Sequence, residues 1–203
     1  MKSDISIATL QRLPVYLNYL KSINGDDGYI SSGAIARALK MGEVLVRKDL
    51  AYTSAQGRTR VGYKRSELIR ALEEFLGCKE IKNAVIIGAG GLGRALLAYG
   101  GFKNYGIEIV AAFDNDPEKV GGKICGKPVY DLDGLKGGVL KYEVKLAVIC
   151  VPASCAQSVA DKLAECGVTR ILNFAPVLLH VPEGYIVRDI DVAANLAILF
   201  SME

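Results

Sequence analysis

The sequence has little of what several classes of protein depend on. Its one histidine, His180, stands in "LLHVP" without an evident partner, so the positioned acid–base pair that a dehydrogenase normally needs is missing. The five cysteines form no C-x-x-C pair and stand in apolar settings such as "KLAVICVP", a pattern typical of buried, reduced thiols and not of metal or disulfide sites. A redox pair of Cys150 and Cys155 is the alternative to core packing.

Long apolar segments are also missing. No apolar run approaches the roughly 20 residues that span a bilayer, and "MKSDISIATLQR" has neither the apolar stretch nor the cleavage site of a signal peptide. We therefore expect a soluble, cytoplasmic protein without a membrane partner. The 203 residues suffice for one large domain or two small ones, and a hydrophobic content of 51% is ample for a buried core.

The positive charge is concentrated in the first part of the chain. Residues 1–77 contain 12 lysines and arginines against 8 aspartates and glutamates, whereas residues 78–203 contain 13 against 14. Residues 37–70 alone hold 9 basic and 3 acidic side chains. This concentration indicates a polyanionic partner.

A glycine-rich turn follows a short apolar run in "NAVIIGAGGLGRALLAYG", residues 83–100. The pattern predicts a strand, a tight turn and a helix. The first glycine permits the turn, the second lets the backbone approach a pyrophosphate, and the third lets the helix pack closely on the strand. We therefore expect the cofactor to contact Gly88, Ala89, Gly90, Gly91, Leu92 and Gly93.

A second buried strand is predicted in "IEIVAAFDNDP", and Asp114 at its end lies 21 residues after Gly93. Its carboxylate is positioned to accept hydrogen bonds from an adenosine ribose and would repel a 2′-phosphate, which favours NAD(H) over NADP(H). Alternating strands and helices follow and predict a doubly wound parallel sheet, which binds ligands at the carboxyl ends of its strands. The loops at two such ends are expected to contact the ligand through Val151, Pro152, Asn173 and Ala175. The alternative is that each loop contains a proline only to stop its strand.

Two helical segments joined by a short turn are predicted in "DGYISSGAIARALKMGEVLVRKDLAY". Ser31 or Ser32 is a suitable N-cap for the first, which Met41 and Gly42 should end. The second, about residues 43–52, is expected to turn Val44, Leu45 and Leu50 inward and to project Arg47 and Lys48. This spacing is typical of a helix-turn-helix whose second helix enters the major groove of DNA.

A basic hairpin is predicted after these helices in "TSAQGRTRVGYKR", with Gln56 and Gly57 near its tip. Such a hairpin acts as a wing that reaches the minor groove or the phosphates, and the alternative is a merely solvated basic face. The predicted DNA contacts are Ser31, Ser32, Arg47, Lys48, Arg58, Arg60 and Tyr63.

The remaining features define the predicted domains. Ser66 is expected to cap the helix "ELIRALEEFLG" and Gly77 to end it. We predict a DNA-binding domain at 1–78, a nucleotide-binding domain at 79–188 and a terminal helix at 189–203. Only Asn195 is polar among residues 192–200, and the natural cover for so apolar a helix at a chain end is a second subunit, which predicts a dimer.

In combination, these residues resemble the Rex family of bacterial redox-sensing transcriptional repressors over essentially the whole chain. The matching segments are "RLPVYLNYL", "VRKDLAY", "RVGY", "IIGAGGLGRAL", "FDNDPEKVG", "CVPA", "NFAPV" and the apolar terminal helix. The wing departs from the family pattern, because Gln56 replaces a usual aromatic residue and Arg60 a usual glycine.

The resemblance implies an α/β protein that forms a homodimer, with N-terminal winged helix-turn-helix domains and Rossmann-like NAD(H)-binding domains that exchange their C-terminal helices. It implies that inverted-repeat operator DNA is bound when NADH is scarce and released when NADH rises. The switch positions of the family match Arg12, Tyr99 and Asp191, with Asp189 two residues from the last, and link the DNA-binding domain to the nicotinamide pocket. Tyr99 is also expected to contact the cofactor and to help close that pocket.

The predicted function is a repressor that senses the ratio of NADH to NAD+, without catalytic or metal-binding residues. NADH shifts the equilibrium only if it binds the DNA-incompetent arrangement better, and an apolar pocket would favour its neutral ring over the cationic ring of NAD+. One rival is an NAD-dependent oxidoreductase with an accessory N-terminal domain. The other is a Rossmann module for another nucleotide such as coenzyme A, whose binding domains look similar around "CVPA".

Overall fold

The structure, a computed structural model, describes residues 5–201. It divides into two compact units, Met1–Glu80 and Ile81–Glu203. Within the described residues no helix is long and apolar enough to cross a membrane.

The first unit combines four helices with a small antiparallel sheet. Its core is formed by apolar side chains from all four helices, including Leu13, Leu17, Ile35, Val46, Leu50, Leu68 and Leu72. The elements are helices α1 (Ile7–Ser22), α2 (Ser32–Ala38), α3 (Glu43–Leu50) and α4 (Arg65–Leu76), and strands β1 (Tyr29–Ile30) and β2 (Tyr63–Lys64). Strand β1 precedes α2 in the sequence, strand β2 follows α3, and the two strands pair with each other. This confirms the winged helix-turn-helix arrangement.

The caps of α2 and α4 differ in part from the prediction. The Oγ of Ser31 accepts a hydrogen bond from the backbone N–H of Ala34 at 3.1 Å, so Ser31 is the N-cap of α2. Helix α2 ends before Met41, because Lys40 takes a left-handed backbone with φ of 54°. Ser66 was wrongly predicted as the cap of α4: it lies in the first turn of that helix.

A carboxylate distant in the sequence supplies the cap of α4 instead. Asp27 accepts hydrogen bonds from the backbone N–H and the hydroxyl of Ser66, at 2.8 and 2.6 Å. A carboxylate satisfies unpaired N–H groups at a helix start as well as a hydroxyl does. Gly77 ends α4 with φ of 68°, as predicted.

Helix α3 buries a different face from the predicted one. Val44 and Leu45 are exposed, whereas Val46, Asp49 and Leu50 are buried. The reason is the helical period of 3.6 residues, which places Leu50 beside positions three and four residues earlier and not beside 44 or 45. Arg47 and Lys48 are exposed.

The wing is a tight turn whose tip differs from the predicted one. The backbones of Arg58 and Gly62 bond to each other at 2.8 and 2.9 Å, and Arg60 lies between them with φ of 64°. Gln56 and Gly57 precede this bridge and are not at the tip. Gly62 has φ of 96°, and a Cβ there would overlap the carbonyl of Ile30, so the backbone of the wing lies directly against β1.

The second unit is a seven-stranded sheet with helices, in the strand order β5-β6-β4-β3-β7-β8-β9. Every neighbouring pair is parallel except β5 and β6. Counted from β3, the six parallel strands have the order 3-2-1-4-5-6 of a dinucleotide-binding sheet, which confirms the predicted Rossmann-like fold. The strands are β3 (Lys82–Ile87), β4 (Ile107–Asp114), β5 (Lys123–Ile124), β6 (Lys127–Asp131), β7 (Leu146–Ile149), β8 (Arg170–Asn173) and β9 (Ile186–Asp189).

The helices of this unit are α5 (Gly91–Ala98), α6 (Leu135–Lys141), α7 (Ala153–Glu165) and α8 (Val192–Ser201), with two short 3-10 helices at Gly100–Tyr105 and Leu132–Gly134. The main core contains Val85, Ile87, Ala111, Phe113, Val159 and Leu163. No residue of α8 is buried, and its Val192, Leu196, Ile198, Leu199 and Phe200 are all more than half exposed.

Candidate functional site

A crevice of about 300 Å³ opens where the sheet reverses its strand order, beyond the carboxyl ends of β3 and β7. Ligands of doubly wound sheets bind at this point. Of the predicted cofactor contacts, the crevice is lined by Gly88, Gly90, Asp114, Val151 and Pro152.

The glycine-rich turn has the form that a pyrophosphate requires. Gly88 has φ of 94°, and a Cβ there would lie 2.6 Å from the carbonyl oxygen of Cys150, so only glycine fits between the two strand ends. A Cβ on Gly93 would overlap the carbonyl of Gly88, which shows how closely α5 packs on the turn. A Cβ on Gly90 or Gly91 would meet nothing within 4 Å. The open space therefore lies at the start of α5, where a helix attracts phosphate.

Asp114 ends β4 beside this turn and is buried. One of its oxygens, Oδ2, accepts the backbone N–H of Ala89 at 2.7 Å and the other, Oδ1, accepts that of Asp116 at 2.9 Å. The Nζ of Lys119 lies 3.3 Å from Oδ2. Burial disfavours the charged carboxylate, but these hydrogen bonds outweigh it and hold the pKa of Asp114 below its usual value. The carboxylate is therefore ionised and retains acceptor capacity for a ribose hydroxyl.

The loop after β8 is held in place by the side-chain amide of Asn173. Asn173 is fully buried, and its Nδ2 lies 2.8 to 3.1 Å from Asp189 Oδ1 and from the carbonyls of Val177 and Ala175. Its Oδ1 accepts the N–H of Ala175 at 2.9 Å. The amide is thus consumed in holding the loop, and Ala175 lines a separate cleft of about 220 Å³. Asn173 and Ala175, both predicted as cofactor contacts, therefore do not line the crevice.

The predicted switch residues of the second unit lie away from the crevice. Tyr99 follows the last residue of α5, about 12 Å along the helix from its start. Its side chain is exposed, stacks edge-on against Phe102 at 5.2 Å, and lines another cleft of about 210 Å³. Asp191 caps α8, because its Oδ1 accepts the N–H of Ala194 at 2.8 Å.

Cys150 is partly buried and packs against the core of the sheet, as predicted, and it also lines the crevice. Cys155, which was also predicted to pack in the core, lines the crevice instead. Burial raises the pKa of the Cys150 thiol to about 12, so it stays protonated, while Cys155 is exposed. Leu92 is exposed at the start of α5. Across the described residues, no group of three or more histidine, cysteine or acidic side chains is arranged to hold a metal ion.

The first unit has a cleft of about 470 Å³ between α3, the start of α2 and the wing. It gathers six of the seven predicted DNA contacts: Ser31, Ser32, Arg47, Arg58, Arg60 and Tyr63. The seventh, Lys48, is exposed on α3 but does not line the cleft. The guanidinium of Arg58 lies 5.3 Å above the ring of Tyr29, a cation–π contact that orients the wing arginine.

Helix α1 is tied to α3 by a cluster of charges that the sequence did not reveal. Arg12 donates to Asp49 through Nε at 2.6 Å and Nη2 at 2.8 Å, and the hydroxyl of Tyr16 donates to Asp49 at 2.6 Å. Burial opposes ionisation of Asp49, but the bonds from Arg12 and Tyr16 outweigh it and lower its pKa. Burial and the bond to this carboxylate raise the pKa of Tyr16 to about 12. The predicted switch residue Arg12 is therefore held on α3, the candidate recognition helix.

Comparisons with known proteins cover both units. The family "CoA binding domain" matches residues 79–177, and the family "Putative DNA-binding protein N-terminus" matches residues 4–51. The redox-sensing transcriptional repressor Rex of Carboxydothermus hydrogenoformans is 43% identical over 95% of this chain and 93% of its own, and that of Bacteroides thetaiotaomicron is 40% identical over 95% and 88%.

Solved structures agree with these relatives. The complex of RSP with NAD+ and operator DNA superposes with a TM-score of 0.92 and 30% identity, over 98% of this chain and 92% of RSP. The complex of RSP with NADH has a TM-score of 0.87 at the same identity, over 98% and 94%. A further structure of RSP is described as that of a Rex-family repressor, with a TM-score of 0.88 over 98% and 93%.

Proposed function

The chain belongs to the Rex family of redox-sensing transcriptional repressors, and from this premise we propose how its own residues carry out the function. The first unit binds operator DNA, and the second unit binds NADH and thereby releases the DNA. The observation that carries the proposal is the crevice at the reversal of strand order, where an open glycine turn lies beside an ionised carboxylate.

The residues of the crevice fit NAD(H). The space at Gly90 and Gly91 and the start of α5 would hold the pyrophosphate, and Asp114 would accept a ribose hydroxyl. The bound cofactor supplies a redox-dependent charge, since its nicotinamide is neutral when reduced and cationic when oxidised. Val151 and Pro152 give one wall of the crevice an apolar surface, which costs the neutral ring less than the charged one.

The cleft of the first unit supports DNA binding by α3 and the wing. Arg47, Arg58 and Arg60 line it, and arginine binds phosphates and guanine edges through its planar donors. Ser31 and Ser32 at the start of α2 provide further donors to phosphate. Residues 1–78 are thus assigned to DNA binding, and residues 79–188 to the nucleotide.

Coupling between the two activities is assigned to Arg12, Tyr99 and Asp191. Arg12 already bonds to α3 through Asp49, so any contact that competes for this guanidinium acts directly on the recognition helix. Tyr99 and Asp191 are exposed in the second unit. We expect Tyr99→Ala to weaken the response to NADH more than DNA binding itself, and equal losses would contradict the assignment.

The apolar helix α8 supports a homodimer in which residues 189–203 are exchanged between subunits. A dimer also presents two recognition helices to an inverted repeat, as a helix-turn-helix protein requires. We place this regulator in the cytoplasm and assign it no turnover of substrate.

The test is binding to a fluorescent duplex selected from a random pool with the purified protein, titrated separately with NADH and NAD+. We expect tight binding that NADH abolishes and NAD+ leaves largely intact. Protein that bound NADH but no DNA even at low salt would contradict the repressor and favour an oxidoreductase. The match to a coenzyme A-binding family makes that nucleotide the competitor to include. Displacement of NADH by coenzyme A at equal concentration would favour the other rival.

A further inference from the structure

Three charges form a cluster at the end of the crevice where β4 finishes. The Nζ of Lys119 lies 2.9 Å from Asp116 Oδ2 and 3.3 Å from Asp114 Oδ2. Asp116 is itself fixed, because its Oδ1 accepts the backbone N–H of Glu118 at 3.0 Å. The assignment of Asp114 to the ribose leaves Asp116 and Lys119 without a role.

Lys119 is the one cationic side chain among the described residues that line the crevice. An ammonium group at the ribose end of a nucleotide site is a natural partner for a 2′-phosphate, since in this fold a basic residue near the end of the second strand serves that purpose. Here the ammonium is shared between two carboxylates, and the side chain is only 23% exposed. The bond to Asp116, with the one to Asp114, also raises the pKa of Lys119, so the paired ammonium is the stable form.

We propose that Asp116 is a specificity-determining residue of the nucleotide crevice, because it holds the Lys119 ammonium on Asp114 and so excludes dinucleotides that carry a 2′-phosphate. A phosphate at that position would meet the carboxylates of Asp114 and Asp116, and the one cation that lines the crevice is already paired with both of them. An unmodified ribose hydroxyl meets acceptors that it can satisfy. The inference rests on the proposed binding of NAD(H) and extends it, since the discrimination is assigned to the three-charge cluster and not to Asp114 alone.

The experiment compares the affinities of the full chain for NADH and NADPH, followed by the fluorescence of the reduced nicotinamide. Asp116→Asn keeps the size of the side chain and removes its charge. We expect this variant to bind NADPH roughly fivefold more tightly relative to NADH, an effect of the size expected when one partly exposed charge is removed. Binding of NADH, which has a hydroxyl at the same place, reports that the variant is folded.

Two further variants separate the proposed cause from a general change of charge. The double variant Asp116→Asn with Lys119→Met removes the cation that the first substitution sets free, and it should lose the gain for NADPH. Asp133→Asn is the matched control, because Asp133 pairs with Lys162 at 2.8 Å on the same unit, is 88% exposed and does not line the crevice. It should shift both affinities by the same factor.

The outcomes distinguish this inference from the proposed function. A gain for NADPH that persisted without Lys119, or an Asp116→Asn variant that behaved like Asp133→Asn, would overturn the role of Asp116. Wild-type protein that bound NADPH as tightly as NADH would also overturn it and would leave NADH-dependent repression in place. Wild-type protein that bound neither dinucleotide would overturn both.

Discussion

At the scale of single residues, Asp49 shows how a buried charge depends on its partners. The residue is 2% exposed, yet its carboxylate accepts three hydrogen bonds from the side chains of Arg12 and Tyr16. A buried carboxylate is tolerated only when such donors replace the water that it has lost. The polar part of the contact between α1 and α3 therefore depends on this one side chain.

We predict that Asp49→Asn lowers the free energy of unfolding of the first unit by about 2–3 kcal/mol, less than for a fully buried ion pair because Arg12 is partly exposed. Urea denaturation of the full chain measures the change. Glu74→Gln breaks the exposed pair of Glu74 with Lys79 and serves as control, with an expected change within about 0.5 kcal/mol. Equal losses in the two variants would contradict the assigned role of Asp49.

The same residue predicts a dependence on pH. The pKa of Asp49 is lowered in the folded protein, so its stabilisation is fully present above the unfolded carboxylate pKa of about 4 and is lost as the pH falls through the lowered pKa. Wild type should therefore lose more stability than Asp49→Asn in that acidic window. Parallel stability curves for the two proteins from pH 7 downward would contradict this.

Substitution of two glycines in the glycine-rich turn is expected to have different effects, one on stability and the other on NADH binding. A Cβ on Gly93 overlaps the carbonyl of Gly88, whereas a Cβ on Gly90 meets nothing. We expect Gly93→Ala to shift the packing of α5 on the turn and to lower the melting temperature of the second unit. Gly90→Ala should melt close to wild type, since a Cβ fits there, but should bind NADH at least about tenfold more weakly because the methyl group takes the space of the pyrophosphate. Calorimetry and NADH titration test the pair, and the reverse order of melting temperatures would show that the turn is wrongly placed.

At the scale of elements, the two exposed basic residues of α3 are not equivalent. Arg47 lines the cleft with the wing arginines, and Lys48 lies outside it. We predict that Arg47→Ala weakens operator binding by about tenfold and lowers the slope of log affinity against log salt by about 1, while Lys48→Ala has a smaller effect. NADH affinity should not change in either variant. A larger loss for Lys48→Ala would mean that α3 presents another face to DNA.

The elements that the sequence predicts well are those with a local physical signal. The apolar strand before Gly88 and the strand that ends in Asp114 each carry their information within a few residues, and both were found where predicted. Of the two serines predicted as alternative caps of α2, Ser31 is the cap. The hairpin of β5 and β6 was missed. Its two-residue turn at Cys125 and Gly126 requires positive φ at both positions, 49° and 76°, which a cysteine does not indicate.

The features that the sequence did not reveal depend on contacts between separate segments of the chain. The cap of α4 comes from Asp27, 39 residues before Ser66. The amide of Asn173 is taken by Asp189 and its own loop, and nothing within "NFAP" shows it. The buried carboxylate on α3 is compensated by Arg12, 37 residues earlier. Sequence patterns report which residues are apolar and which are polar, but they do not report which polar groups pair.

At the scale of the whole molecule, helix α8 stands out because its apolar side chains are exposed to solvent. The terminal helix has five apolar side chains that are more than half exposed, and Phe200 reaches 89%. A contiguous apolar surface of this kind marks an interaction site, and its burial is favourable by roughly 25 cal/mol per Å². The proposed exchange of the terminal helix between two chains would cover this surface.

We predict that replacing Leu196 and Leu199 together by glutamate converts the dimer into a monomer, because two charges cannot be buried in an apolar interface without partners. Sedimentation equilibrium measures the mass, and Leu140→Glu provides the control, since Leu140 is 69% exposed and belongs to α6, not to the terminal helix. The control should remain dimeric. The double variant should also lose most of its affinity for an inverted repeat but much less for a single half-site, because one recognition helix remains intact in each chain. A double variant that remained dimeric would show that α8 is not the interface. The surface that joins the two chains would then have to be sought elsewhere on the protein.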